Sequence, residues 1–267
     1  MMQSMSDVRE DFRSLHREGC FLMPNSYDVG SARLLASTGL RALATTSSGF
    51  AATLGRLDMT VDRATLLDHV RAITEAVDVP VNVDSERCFA DTPEGVRETV
   101  RLIADAGAAG CSIEDWDPVR SAIDVFEVAV DRVRSAAEAA RECGLVLTAR
   151  CEHHLRGVDD LSATIDRLGA YHEAGAEVVY APGLTSLEEI GRVVSEVSAP
   201  LNVLLMSGGP LVAELAEVGV RRVSTGGQLA RVAYGAVMAA VSSLEQRGVV
   251  DPSLPLLDRE VAARAFA

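Results

Sequence analysis

"PEGVRETVRLIADAGAAGCSIED" (93–115) changes hydrophobic period part-way along. Its first part, through "IADAG", has the spacing of an amphipathic helix. "GCSIED" (110–115) is short and apolar and closes on two acids, as a buried strand does. Between them stands Gly107, where glycine can take the left-handed conformation that ends a helix. The same helix–glycine–strand junction returns in "ECGLV", "AGAEV" and "EVGV", so Gly39, Gly107, Gly144, Gly175 and Gly219 read as helix ends. Eight apolar runs result: "CFLMP" (20–24), "RALATTS" (41–47), "VPVNVD" (79–84), "GCSIED" (110–115), "LVLTAR" (145–150), "EVVYAP" (177–182), "PLNVLL" (200–205) and "VRRVST" (220–225). Eight strands alternating with helices over 267 residues predict an α/β fold, the (β/α)8 TIM barrel, as one domain over 1–267 with a C-terminal tail over 249–267. The competing doubly wound sheet usually carries G-x-G-x-x-G after its first strand, where this chain has "MPNSYDVGSA".

Composition narrows the function classes. A net charge of −14 opposes nucleic-acid binding, which needs a basic surface. No residue is lysine, which excludes Schiff-base and lysine-base chemistry. No apolar stretch has the length of a membrane span, and "MMQSMSDVREDF" lacks the hydrophobic segment of a signal peptide. Five scattered cysteines without a CxxC pair suit a reducing compartment. The expectation is a cytoplasmic protein without a membrane or nucleic-acid partner.

A barrel of this type carries its active site at the C-terminal strand ends. Those ends present Asn25, Tyr27 and Asp28; Ser47 to Gly49; Asp84 and Glu86; Glu114 and Asp115; Arg150 and Glu152; Pro182 and Gly183; Met206 and Ser207; and Ser224 to Gly227. Asp84 and Glu86, two apart in "VNVDSERCF" (81–89), share a face and repel unless something positive lies between them. With Glu114 they form an all-oxygen set that favours a hard cation, Mg2+ or Mn2+. Helix capping, or pairing with arginines, is the alternative role for these acids. The Arg150 fork suits a substrate carboxylate, with a salt bridge to Glu152 or Glu114 as the alternative. "TSSGF" (46–50) offers N–H groups and hydroxyls to an anionic oxygen; its Ser48, Gly49 and Phe50, with Tyr27 at the first strand end, are the candidates for contact with substrate. His153 and His154 are poor ligand candidates, because adjacent side chains point apart. Cys88 reads as core filler, and Trp116 as a loop anchor or pocket wall.

From about residue 18 to 245 the chain resembles the isocitrate lyase/phosphoenolpyruvate mutase superfamily. "PNSYDVGSARLLASTGLRALATTSSGFAATLG" is similar to that family's opening, and "VNVDSERCFADTPEGVRETVRLIADAGAAGCSIED" to its D-x-[DE] pair and "IED" strand. The resemblance implies that Ser48 and Gly49 hold a substrate carboxylate and oxygen. It also implies a Mg2+ shell of Asp84, Glu86 and Glu114, a site role for Asp58 in "GRLD", and substrate binding by Arg150 in "TARCEHHLRGVDDL". Asp58, Glu114 and Arg150 are thus the catalytic candidates.

The implied reaction makes or breaks a C–C bond beside an α-oxycarboxylate through an enolate-like intermediate, on a small 2-oxo or 2-hydroxy acid. C–P chemistry on a phosphonopyruvate-like substrate and a catalytically lapsed keto-acid-binding barrel are the alternatives. The departures are specific. Where the lyases carry a Lys-Lys-Cys-Gly-His loop, this chain has "DWDPVRSAIDVFE". Pro182 stands in place of a lyase Glu, and "CFA" (88–90) in place of Gly-Tyr-Gly. The family commonly exchanges its last helices between subunits. The apolar stripe of Leu229, Val232, Ala233, Ala236, Val237, Ala240, Val241 and Leu244 therefore implies a homo-oligomer, a dimer of dimers, joined through residues from about 225 onward.

Overall fold

All eight runs become parallel strands. The computed structural model describes residues 4–267. Its strands are β1 (Phe21–Met23), β2 (Asn25–Ser26), β3 (Leu43–Thr45), β4 (Val81–Asp84), β5 (Gly110–Glu114), a hairpin of β6 (Trp116–Asp117) and β7 (Ala122–Ile123), then β8 (Val146–Arg150), β9 (Val178–Tyr180), β10 (Leu201–Leu204) and β11 (Arg222–Ser224). The helices are α1 (Met5–Ser14), α2 (Val29–Ala36), α3 (Ser47–Thr53), α4 (Arg63–Thr74), α5 (Pro93–Asp105), α6 (Phe126–Cys143), α7 (Leu161–Glu173), α8 (Leu187–Glu196), α9 (Val212–Glu217), α10 (Gln228–Arg247) and α11 (Arg259–Phe266). The five junction glycines all adopt left-handed backbone, from φ 75° at Gly144 to 111° at Gly175.

The sheet runs β1-β11-β10-β9-β8-β5-β4-β3-β2 and closes on itself, because β1 and β2 are halves of one strand. Phe21 pairs with Arg222 on one side of Pro24, and Asn25 with Ala44 on the other. Proline supplies no N–H, so the strand changes partners there with little loss. Asn25 sews the seam: its Nδ2 donates to the Thr45 carbonyl at 2.6 Å, and its Oδ1 accepts from the N–H groups of Thr225 (2.9 Å) and Gly226 (2.8 Å). Counted this way, the molecule is a single-domain (β/α)8 barrel.

Outside the sheet, Val96, Val100 and Ile103 of α5 and Ala129, Ala136 and Ala140 of α6 join Cys111, Ile113, Leu147 and Ala149 in one buried cluster. The N-terminal end is plugged by α1, whose Phe12 is fully buried among Phe21, Val146 and Val178. Arg9 fixes that helix by donating to the carbonyls of Ala104, Ala108 and Cys143. Above the plug the barrel interior turns polar. Arg222 is buried there, donating from Nε to Asn202 Oδ1 (2.9 Å) and from Nη2 to Thr148 Oγ1 (2.8 Å). Hydrocarbon thus fills the lower barrel, and the upper barrel is left for chemistry.

The apolar stripe from Leu229 to Leu244 lies on α10, which packs on α3. Its Val232, Val237 and Met238 are more than half exposed in the single chain. In the tail, α11 lies on α2, where Arg33 Nη1 donates to the Phe266 carbonyl at 3.3 Å. Among the described residues no helix is long and apolar enough to cross a membrane.

Candidate active site

β4, β5 and β8 end side by side, and their last residues converge on one guanidinium. Arg150 Nη1 lies 3.1 Å from both Asp84 Oδ1 and Glu114 Oε2. Its Nε and Nη2 donate to Glu152 Oε1, at 3.1 and 2.7 Å. The ring of Tyr180 flanks the same guanidinium, 5.2 Å from centroid to Cζ. The fork is therefore directed at three acids of the chain itself, the alternative weighed for Arg150 from its sequence position.

One arginine does not balance this set. Burial pushes Glu114 well above the usual carboxylate range against the pull of Arg150, and Glu152, Asp84 and Glu86 push in the same direction. Glu86 is buried too; desolvation, then the charges of Asp84 and Asp58, raise it to about 8. Asp58 stands on the loop after α3, its carboxyl raised by desolvation and by Asp84. Like charges held this close each disfavour the other's ionisation. Among the described residues no protein group hydrogen-bonds to the Glu86 carboxylate, and Glu152 Oε2 is buried without a hydrogen-bond partner. An oxygen-rich set short of positive charge fits a hard divalent cation.

The fit is to a partly hydrated ion. Among the described residues no three acid, histidine or cysteine side chains converge closely enough to enclose a metal by themselves. Asp84 is already engaged, with Oδ1 on Arg150 and Oδ2 accepting the Ser47 N–H at 3.0 Å. Magnesium commonly keeps several waters and takes only one or two carboxylates directly.

A cavity of about 180 Å³ opens at this end, lined by Asp58, Asp84, Glu114, Arg150 and Glu152 among others. Ser47 and Ser48 line it as well, at the start of α3. Thr46 caps that helix: its hydroxyl accepts the Gly49 N–H at 3.3 Å and lies 3.2 Å from Ser48 Oγ. That amide is committed to the cap and is not free for an anion. Gly49 is instead required by space, since a Cβ there would stand 2.5 Å from Thr46 Cγ2 and 2.9 Å from Tyr27 Cβ. Tyr27, Gly49, Phe50 and Glu86 do not line the cavity. Phe50 points into a small apolar cluster, its ring stacked on His69 at 3.6 Å.

Behind the cavity, Asp115 turns away from the acids and acts as a strut. It accepts from the Glu152 N–H (2.9 Å), Tyr171 (2.7 Å) and Arg167 (3.1 Å) and so sets where Glu152 begins. His153 and His154 both hydrogen-bond the Thr164 hydroxyl, on the α7 side. Cys88 is fully buried, its thiol pushed by burial up to about 11, so it is inert filler. The "CFA" departure has a backbone counterpart: Cys88 and Phe89 adopt left-handed φ of 59° and 52° at a cost glycine would avoid.

The stretch that replaces the lyase loop is the β6–β7 hairpin, and its Trp116 lies 3.9 Å beneath the Arg156 guanidinium. Arg156, in the turn after β8, also lines the cavity. The sequence reading passed over it, because it falls on the short 3-10 turn His154–Arg156 and not on a strand end. Glu152 was signalled, sharing the alternation of Arg150.

The family model for phosphoenolpyruvate phosphomutase matches residues 12–245. The chain belongs to the isocitrate lyase/phosphoenolpyruvate mutase superfamily. It is 32% identical over 255 residues to an oxaloacetate decarboxylase from Paraburkholderia xenovorans, covering 90% of this chain and 83% of that one. It is 30% identical over 208 residues to the 2-methylisocitrate lyase of Escherichia coli, covering 74% and 70%. A solved protein from Burkholderia cenocepacia J2315, provisionally named a lyase/mutase, is 43% identical and superposes with a TM-score of 0.93 over 98% of this chain and 96% of that one. Membership in a superfamily of lyases and mutases makes this barrel an enzyme of that type.

Proposed function

We propose that this superfamily member is a Mg2+-dependent lyase that cleaves or forms a C–C bond beside the α-oxycarboxylate of a small 2-oxo or 2-hydroxy acid. The observation that carries this reading is the acid excess around Arg150 at the strand ends, with Glu86 raised to about 8 by burial and its acidic neighbours. Asp84, Glu86 and Glu114 would hold the ion, in part through water; Mn2+ would serve the same set. When bound, the ion supplies positive charge to the C2 oxygen as it turns enolate-like.

The other roles fall to the chain's own groups. A substrate carboxylate competes for Arg150 Nη1, which Asp84 and Glu114 already share, and the Ser48 hydroxyl lines the same space. Asp58 lines that space, and desolvation and the charge of Asp84 raise its carboxyl, the direction that favours a group able to hold a proton. Two relatives are named for reactions of the proposed kind. The free cysteines favour a reducing compartment, so we place the enzyme in the cytoplasm. The exposed apolar face of α10 supports a homo-oligomer, a dimer of dimers.

The test is a screen of 2-oxo and 2-hydroxy acids, with phosphonopyruvate beside them, run in Mg2+ and in excess chelator. Metal-dependent release of pyruvate or glyoxylate from a carbon substrate supports the lyase. Turnover of phosphonopyruvate alone would move the chemistry to C–P bonds. No turnover of any acid would overturn the 2-oxo and 2-hydroxy acid reading.

A further inference from the structure

We propose that Arg156 is a specificity-determining residue, receiving the far carboxylate of a dicarboxylic substrate whose near end lies among Asp84, Glu114 and Arg150. This rests on the α-oxycarboxylate reading above and adds the far half of the substrate to it.

Three arginines line the cavity, and two are spent. Arg150 has every nitrogen on Asp84, Glu114 or Glu152. Arg222 is buried in the floor, held by Asn202, Thr148 and His16. Arg156 differs from both. Among the described residues nothing accepts a hydrogen bond from its Nη1 or Nη2. Its one ionic contact is Nε at 3.5 Å from Glu152 Oε2, too loose to satisfy that oxygen, which remains without a hydrogen bond.

The guanidinium is nevertheless held in place. It stacks 3.9 Å from the centre of the Trp116 ring, and its side chain is 33% exposed, so one face is packed and the donor edge is open. A planar fork held by stacking, with two free nitrogens, matches a carboxylate bidentately and loses little freedom in doing so. Charge argues the same way. A dianion entering a cavity lined by four carboxylates, Asp58, Asp84, Glu114 and Glu152, is repelled unless a cation waits at its far end, and among the described residues Arg156 is the lining cation with unspent donors. Trp116 belongs to the hairpin that replaces the family's lyase loop, so this clamp is built from a feature in which the chain departs from those lyases.

The experiment is calorimetric binding in Mg2+ of malate, lactate and oxalate to the full chain and to Arg156→Gln. Malate and lactate are 2-hydroxy acids that differ by the far carboxylate, and oxalate probes the near end alone. The native chain should bind malate about tenfold or more tighter than lactate, the order of one charge-assisted pair. In Arg156→Gln that preference should shrink to about twofold or less, with lactate and oxalate affinities unchanged. Retained oxalate binding also shows that the variant is folded. An unchanged malate preference in the variant, equal binding of malate and lactate by the native chain, or loss of oxalate with malate in the variant would each overturn the assignment. Failure of the native chain to bind any of the three would remove the α-oxycarboxylate reading, and this inference with it.

Discussion

Arg150 shows why identity alone does not fix a residue's role. Its fork fits a carboxylate, and the chain offers it three of its own before any substrate arrives. Arg150→Lys should fail in both tasks, because an ammonium is a point charge and cannot bridge Asp84, Glu114 and Glu152 in one plane. Loss of the charge-assisted pairing should weaken oxalate binding by about 1.5–3 kcal/mol. Calorimetry checks this, and unchanged affinity would leave Arg150 a strut. His69 carries a prediction of a different kind. Burial lowers its pKa from 6.5 to about 4, so between those values the unfolded chain binds a proton that the folded chain refuses. Stability should therefore fall as pH drops through that window. His69→Phe keeps the stack on Phe50 and removes the titration, so its urea midpoint should change less between about pH 7 and about pH 4.5 than the native one. Equal losses in both proteins would assign the acid sensitivity elsewhere.

Helix α3 is the element on which local chemistry and packing meet. Thr46 caps it, Ser47 and Ser48 face the cavity, and Gly49 lets Tyr27 and Ala230 approach. Gly49→Ala should overpack this contact and destabilise the protein by about 1–3 kcal/mol, read as a lower urea midpoint with Ser48 displaced. A stable variant would show that Thr46 and Tyr27 yield freely. The same helix marks how far the sequence could be read. "RALATTS" was legible as a strand because its period and glycine-ended neighbours agree, but "TSSGF" looks like an open anion loop until Thr46 is seen to cap a helix. Phe50 then turns to His69 and not to substrate, a consequence of helical rotation that strand alternation does not foretell. The hairpin of β6 and β7 has two residues per strand, too few to show any period. Helix α1 was announced only by Ser4 and Asp7, which form a capping box. Asp84, Glu114 and Arg150 were legible together, since a barrel strand's last inward residue must face the site.

The whole molecule presents two surfaces of opposite character. The C-terminal mouth is acidic and polar, and α10 carries Val232, Val237, Met238, Val241 and Leu244 to solvent in the single chain. So many exposed apolar side chains on one helix favour burial against another subunit. Light scattering at micromolar concentration should give a multiple of the single-chain mass, near four. A monomer would contradict this. Truncation after Gly248 tests whether the tail takes part, since α11 also packs on α2 of its own chain. The acidic mouth depends on the barrel bringing three distant strands together, and there the most direct measurement lies: Mn2+ titration of the native chain and of Asp84→Asn, followed by calorimetry with thermal melting as a control. One ion per chain should bind the native protein, with affinity reduced about tenfold or more in the variant at an unchanged melting temperature. No binding to the native chain, or equal binding to both, would contradict a cation site built on the strand-end acids.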